Sequence, residues 1–284
     1  MTEQIINEVR EAIFAAAGGR RKFLVKLPLM FRQAFDELID TPRTRRLLFE
    51  ELDANEKAVL GIRVEAALRQ ILNFPRGKLD FLIGDHDVDV KFTSVNNWMI
   101  PPEAVGHTCI LCQADETKSL FSVGLAVADE ENLTQGQNRD KKRSFSKAGK
   151  GNIHWLAHQE PFPANVWQSV SVEEVNKIFG PSSGTGRIVA LFEVFEGRPL
   201  HRSVIQAAAR QADYMKRIRS NQGARDHLHP KGVIILSGNQ DGDIIKALGI
   251  NLKREYLMSY RPQTQAELDL ILSKPRHAKN FVPS

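Results

Sequence analysis

Residues 78–92, Lys-Leu-Asp-Phe-Leu-Ile-Gly-Asp-His-Asp-Val-Asp-Val-Lys-Phe, restrict the possible folds of this chain more than any other stretch. They read as two short apolar strands joined by a Gly84-Asp85-His86 turn, and in the second strand Val88, Val90 and Phe92 alternate with Asp87, Asp89 and Lys91. A period of two puts Asp89 and Lys91 on one face and sends Val90 and Phe92 into an apolar core on the other. If Asp80 faces them across the hairpin, oxygen ligands for a hard divalent cation stand beside an ammonium able to hold a phosphate or a water. That is the equipment for metal-assisted phosphodiester hydrolysis.

Two plainer readings compete with it. Charged residues on the wet face of a hairpin are common, and Asp89 and Lys91 alone are compatible with a solvated strand face. A calcium loop is imitated by the spacing of Asp85, Asp87 and Asp89. It fails at the sixth position, where Val90 replaces the required Gly, and at the twelfth, where Asn96 replaces a bidentate Glu.

With 284 residues, 42% hydrophobic and 26% charged, the chain has the composition of a soluble globular protein of one large or two ordinary domains. It has no run of about eighteen apolar residues to span a membrane, and its first residues do not follow the plan of a secretion signal. The expected location is therefore the cytoplasm. Cys109 and Cys112 are the only cysteines. With no second pair to complete a zinc site, they are expected as buried core thiols. The net charge of +5 is unevenly distributed: residues 1–160 hold 22 Lys+Arg against 23 Asp+Glu, and residues 161–284 hold 17 against 11. The second part therefore suits a polyanionic partner, because neutralising phosphates releases counterions.

Helical spacing of apolar residues predicts helices over 5–17, 29–40 and 53–73, the last opening with a capping-box pair, Asp53 and Glu56, and carrying Glu65. The paired prolines at 101–102 predict an irregular loop over 97–103. Strands are expected near 107–113 and 119–128. Residues 131–151 are polar and basic, and read as either a disordered surface loop or one that touches phosphates. The prolines of 159–163 suggest a linker. Beyond it, Ser171 and Glu174 cap a helix ending at Phe179, and further helices are expected over 185–195, 201–210 and 211–220, with a strand over 231–237. The last of these helices carries Lys216, Arg217 and Arg219. A helix, a short turn and a basic helix make the skeleton of a helix-turn-helix reader. None of the three tyrosines, Tyr214, Tyr256 and Tyr260, has a context that marks a covalent nucleophile.

At this level of detail the chain resembles the NaeI-type restriction endonucleases. The likeness runs from about residue 36 to 236 and rests on Glu65, on the spacing of Asp80, Asp89 and Lys91, and on the strings at 98–107, 138–140, 175–179, 213–221 and 223–225. The resemblance implies an α/β (α+β) protein: a PD-(D/E)xK nuclease domain over 1–160, with a mixed central sheet flanked by helices, a linker at 161–165, and a mainly helical winged-helix or helix-turn-helix-like domain over 166–284. It implies a Mg²⁺-dependent homodimer that cuts double-stranded DNA at a GC-rich palindrome while a second DNA copy acts as effector. Glu65, Asp80, Asp89 and Lys91 fall where that family keeps its active-site residues, with Asp80, Asp89 and Glu65 as metal ligands. Arg139, Lys141, Lys216, Arg217, Arg219, Asn221 and Arg225 are the expected DNA contacts. Leu79 departs from the general nuclease signature, in which a Pro often precedes the first Asp. The alternatives are a DNA-binding regulator whose nuclease-like domain is silent and a repair-type strand nickase.

Overall fold

A computed structural model of the chain describes residues 2–211 and 213–278. These divide into two compact units, residues 1–40 with 46–165 and residues 41–45 with 166–284.

The first unit is built around a five-stranded mixed sheet. Its strands are β1 (Phe81–Ile83), β2 (His86–Thr93), β4 (Thr108–Asp115), β5 (Leu120–Val127) and β8 (His154–Pro161), in the order β1-β2-β4-β5-β8. Only β2 and β4 run parallel, with Asp89 paired to Cys109 and Lys91 to Leu111. Three helices, α1 (Thr2–Ala16), α2 (Arg20–Ile39) and α4 (Ala54–Leu72), cover one face. Their apolar stripes, including Val9, Phe31, Phe35, Leu60, Val64 and Leu68, join Val88, Val90, Ile110 and Val123 of the sheet in one core. Helix α2 starts nine residues before its predicted start and runs through Pro28, because Phe23 and Leu27 continue the buried stripe of Met30, Phe31 and Phe35. Burial outweighs the hydrogen bond lost at the proline. Asp53 caps α4 as expected, its side chain accepting from the amides of Asn55 and Glu56.

A second, three-stranded sheet covers the opposite face. It consists of β3 (Met99–Ile100), β6 (Leu133–Gln137) and β7 (Arg143–Phe145), in the order β3-β7-β6. Trp98, Ile100, Leu133 and Phe145 form a smaller core with Cys109, Leu111 and Ala126. Two sequence expectations are corrected here. The loop at 97–103 contains β3 and a 3-10 turn at Pro102–Ala104, since buried Trp98 and Ile100 anchor it and its prolines sit where a turn needs no amide. Of the two readings of the basic stretch at 131–151 the disordered one is overturned: the stretch is an ordered hairpin followed by α5 (Lys147–Gly151). Leu133 and Phe145 hold its base, and the Asn138 carboxamide accepts from the amides of Asp140 and Lys142 at its tip. The expected linker is corrected too: residues 159–161 belong to edge strand β8, and Phe162 is buried in the main core.

In the second unit, α6 (Val172–Phe179), α7 (Gly184–Val194) and α8 (Arg202–Ala209) accompany a three-stranded antiparallel sheet of β9 (Leu200–His201), β10 (Ile234–Ser237) and β11 (Tyr256–Tyr260), ordered β10-β11-β9. Four short helices complete the unit: α3 (Thr41–Thr44), α9 (Ala224–Leu228), α10 (Gly242–Ala247) and α12 (Pro275–Ala278); α11 (Gln265–Leu272) is longer. The Ser171–Glu174 capping box forms as read. Among the described residues of 211–220 the expected basic helix is absent. In its place is one 3-10 turn, Tyr214–Arg217, because Arg210 leaves α8 with φ 55° and Asn221 and Gln222 at φ 94° and 65° prevent continuation. The carboxylate of Asp226 fixes that break by accepting from the amides of Asn221 and Gln222 at 2.7 Å each.

A buried ion cluster closes the first unit. Glu116 accepts from Arg32 at 2.9 Å, from the Phe49 amide at 3.2 Å and from the Asn165 carboxamide at 2.9 Å, so the last residue of the unit is tied to α2. Removing one partner of such a group leaves an uncompensated buried charge. Glu116→Ala is therefore expected to cost about 3–5 kcal/mol, read as a lower denaturant midpoint of the first unit; a midpoint unchanged from wild type would show that the cluster contributes nothing.

Candidate active site

The β1–β2 hairpin turns through Gly84 and Asp85, with Gly84 at φ 61°, the positive φ that a two-residue connection of this kind needs. Its register pairs Phe81 with Val88, and both side chains belong to the main core. One step further along, Asp80 falls opposite Asp89, on the face that β4 shares through Cys109. The Asp80 carboxylate accepts from the Val90 amide at 2.7 Å, which fixes it against the strand that carries Asp89.

Asp89 is 4% exposed and Lys91 lies beside it, with Nζ 2.8 Å from Oδ1 and 2.6 Å from Oδ2. The same ammonium donates to the Val90 carbonyl at 3.3 Å. Burial pushes the Asp89 carboxyl well above the usual carboxylate range, the Lys91 ammonium pulls it back, and the neighbouring Asp80 charge pushes it up again. Cys109, in register with Asp89, is an inert thiol: burial and the adjacent carboxylates push its ionisation far up. Both cysteines are free and buried, as expected from their apolar surroundings.

The structure thus brings Asp80, Asp89 and Lys91 together. It does not bring Glu65 to them. That carboxylate is on α4, which packs against the other face of the sheet, and it pairs with Arg69 at 2.6 Å. Among the described residues, no group of three or more His, Cys, Asp or Glu side chains is arranged to hold a metal ion. The pair still fits a small hard dication. Two adjacent carboxylates and a backbone carbonyl are oxygen donors, a Mg²⁺ site commonly takes only one or two protein carboxylates and fills the rest with water and substrate phosphate, and the Lys91 ammonium already makes the contacts to Asp89 and Val90 that such an ion would make.

Sequence reading missed Asp87. Its carboxylate accepts from the amides of Lys78 at 2.6 Å and Leu79 at 3.4 Å, and so fixes the chain leading to Asp80. Gly77 is required beside it, since a Cβ there would stand 2.1 Å from Asp87 Oδ1. The signal was present in the alternation of Asp87 with Asp89, which share a face.

The region 25–267 matches the family model described as Restriction endonuclease NaeI. The chain belongs to the NaeI restriction endonuclease family. It is 34% identical to the Type II restriction enzyme NaeI of Lentzea aerocolonigenes over 238 residues, which span 80% of this chain and 74% of that enzyme. As a family member it is a type II restriction endonuclease, and no helix among its described residues is long and apolar enough to cross a membrane.

The expected DNA contacts lie on both units of this family member. Arg139 and Lys141 are exposed at the tip of the β6–β7 hairpin. Lys216 and Arg219 are exposed on or beside the 3-10 turn, Arg217 donates to Gln211 at 2.6 Å, and Asn221 is exposed at the break that follows. Arg225 is different. It is 8% exposed and approaches His277 Nδ1 at 3.2 Å, while His277 Nε2 reaches Asp241 Oδ1 at 2.7 Å. Burial pushes the Arg225 guanidinium down to about 10. Burial also raises Asp241, but hydrogen bonds from His277, the Ser237 amide and Arg276 outweigh it and hold that carboxyl down at about 2.

The electrostatics generate a test. An Asp with a raised folded-state pKa gives stability that is present below its unfolded pKa and lost as pH rises through the folded one, so the metal-free protein is expected to lose stability through the Asp89 titration. Lys91→Ala moves that titration further up, followed by carboxyl-carbon NMR, and Asp89→Asn removes this component of the pH dependence. An Asp89 midpoint at or below the ordinary carboxylate value in the metal-free protein would overturn the account.

Proposed function

We propose that Asp80, Asp89 and Lys91 are the hydrolytic centre of a Mg²⁺-dependent endonuclease of the PD-(D/E)xK kind that cuts both strands of DNA at a short GC-rich palindrome. The observation that carries this reading is the position of the Lys91 ammonium, on both Asp89 oxygens and the Val90 carbonyl, with Asp80 anchored opposite. An Asp-x-Lys pair on a central strand, with a second Asp across the hairpin, supplies in one place the ligands for a hard cation and a movable positive charge.

Asp80 and Asp89, with the Val90 carbonyl, would hold the ion. Bound there, Mg²⁺ supplies Lewis-acid stabilisation of charge on the reacting phosphate. Lys91 would hold the scissile phosphate or lower the pKa of the attacking water. Glu65 would join this set, as a further ligand or by orienting that water, only on leaving its Arg69 partner on α4. Hydrolysis leaves a 5′-phosphate. Arg139 and Lys141 at the hairpin tip, and Lys216, Arg217, Arg219 and Asn221 around the 3-10 turn, supply contacts to the DNA backbone and bases, with Arg225 supporting that segment from the interior. A homodimer presents the same reader to each half of a palindrome, and the second unit takes an effector copy of DNA. The helix α8, the basic 3-10 turn and the three-stranded sheet support a reader related to helix-turn-helix proteins in its order of elements, with the turn in place of a full second helix.

Asp89→Ala is expected to lower the rate of plasmid cleavage in Mg²⁺ by on the order of 10³ or more, the several kcal/mol of charge stabilisation that a held metal contributes, while gel-shift affinity for the same DNA is retained. Cleavage by this variant at the wild-type rate would remove Asp89 from the centre and with it the proposed mechanism.

A further inference from the structure

Three guanidinium groups in the second unit converge without a carboxylate among them. Arg45 Nη1 donates to the Pro42 carbonyl at 3.0 Å and Arg210 donates to the same oxygen, so the two groups share one acceptor. Both lie over the ring of Phe179, with Arg45 at 4.6 Å and Arg210 at 5.6 Å from its centroid. Arg187 stands behind them, 7% exposed, and donates to the carbonyls of Ala208, Ala209, Pro181 and Ser182 at 2.7–3.1 Å. Among the described residues none of the three forms an ion pair. Their hydrogen bonds go to neutral carbonyls, and what the group lacks is negative charge.

The cost of that arrangement is visible in its electrostatics. Burial lowers the ionisation of Arg45 and Arg187, and Arg210 lowers each of them further, as does Arg45 for Arg187. Several arginines elsewhere in the chain are paired with a carboxylate: Arg46 with Glu56, Arg202 with Glu255, Arg261 with Glu196 and Arg276 with Asp241. A pair of guanidiniums, one exposed and one half-buried over an aromatic ring and backed by a third, matches the forked geometry with which Arg binds phosphate.

We propose that Arg45 and Arg210, supported by Arg187, form a phosphate-binding site whose ligand is a phosphodiester of the DNA backbone. The site rests on the reading of the chain as a DNA endonuclease and extends its DNA-contacting surface to residues outside the basic turn. Arg187 is a positioning residue, since its N–H groups are used on the carbonyls that end α8 and precede α7. Arg45 and Arg210 are the groups that meet the phosphate.

The test uses the full-length protein with Arg45→Gln and Arg210→Gln combined, leaving Arg187 in place. Binding of an oligonucleotide carrying the target site is measured in Ca²⁺ over a range of salt. Each phosphate contact adds about 0.9 to the slope of log K against log salt, so loss of two is expected to flatten the slope by about 1.8 and to weaken binding about tenfold at the low-salt end relative to 200 mM. In parallel, inorganic phosphate is titrated against the thermal midpoint of both proteins, with circular dichroism confirming the fold; stabilisation of wild type and a smaller effect on the variant support the site. A variant that fails to fold is replaced by the single substitution Arg210→Gln, for which a loss of about 0.9 in slope is expected. A slope equal to wild type in a folded variant overturns the proposal, and if the phosphate effect is lost at the same time the site serves a free anion instead of DNA. The nuclease reading fails separately, if wild-type protein neither binds nor cuts DNA.

Discussion

Two carboxylates, Asp89 on β2 and Asp80 just ahead of β1, are set against each other across a hairpin of the first unit, with Asp89 buried. Charges about 4 Å apart near a protein surface interact with about 4 kcal/mol, so Asp80 and Asp89 are stable together only because something positive is near. In this structure that is the Lys91 ammonium, and Asp89 still ionises with difficulty. The arrangement is built from a parallel β2–β4 pair, a two-residue turn and the Asp87 clasp on Lys78 and Leu79, and the proposed centre gives it a further positive partner in a cation taken from solution. Burial is the largest cause of the raised Asp89 ionisation, and a buried carboxyl perturbed beside a specific charge partner is what the proposed hydrolytic centre calls for.

The same argument explains which parts of the site were legible in the sequence. Asp80, Asp89 and Lys91 were readable because strand periodicity is local: a period of two fixes their face without any knowledge of the rest of the chain. Glu65 was readable as a helical residue, and its i,i+4 spacing to Arg69 was readable too, but not the face of the sheet against which α4 packs, which sets it away from Asp89. Among helices, α4 and α6 were legible to within a residue at their starts because Asp53 and Ser171 announce them with capping boxes. The start of α2 was misread at Pro28, a local penalty that the buried stripe of Phe23 and Leu27 overrides. The hairpin at 131–151 and strand β8 were missed for the opposite reason. Their polar and proline-rich segments have no apolar periodicity, and they become strands only because Phe145, Leu133 and the edge of β5 stand ready to receive them.

The basic segment after α8 shows how a tertiary contact overrules composition. Residues 211–220 are polar and charged enough to make a solvated helix, and nothing in them forbids one. The helix is prevented from outside, by the left-handed exit at Arg210 and by Asp226, which reaches back five residues to hold the amides of Asn221 and Gln222. A segment shaped in this way presents Lys216 and Arg219 from a short turn, so the spacing of its charges follows the turn and not a helical face.

The charge excess of the second part of the chain is therefore distributed by two different rules. Behind the buried Arg225 a counter-charge is supplied: it lies against His277, whose other nitrogen meets Asp241, and that carboxylate is held ionised by the hydrogen bonds converging on it. Where Arg45, Arg187 and Arg210 gather, no carboxylate is supplied, and only dipolar carbonyls and the face of Phe179 moderate the repulsion. Carbonyls satisfy N–H groups but carry no net charge, so they cannot remove the mutual repulsion of three cations. A unit that provides Asp241 behind the buried Arg225 and nothing anionic beside Arg45, Arg187 and Arg210 treats its positive charges in two ways, and the difference was invisible in a net charge of +5 because a sum has no location.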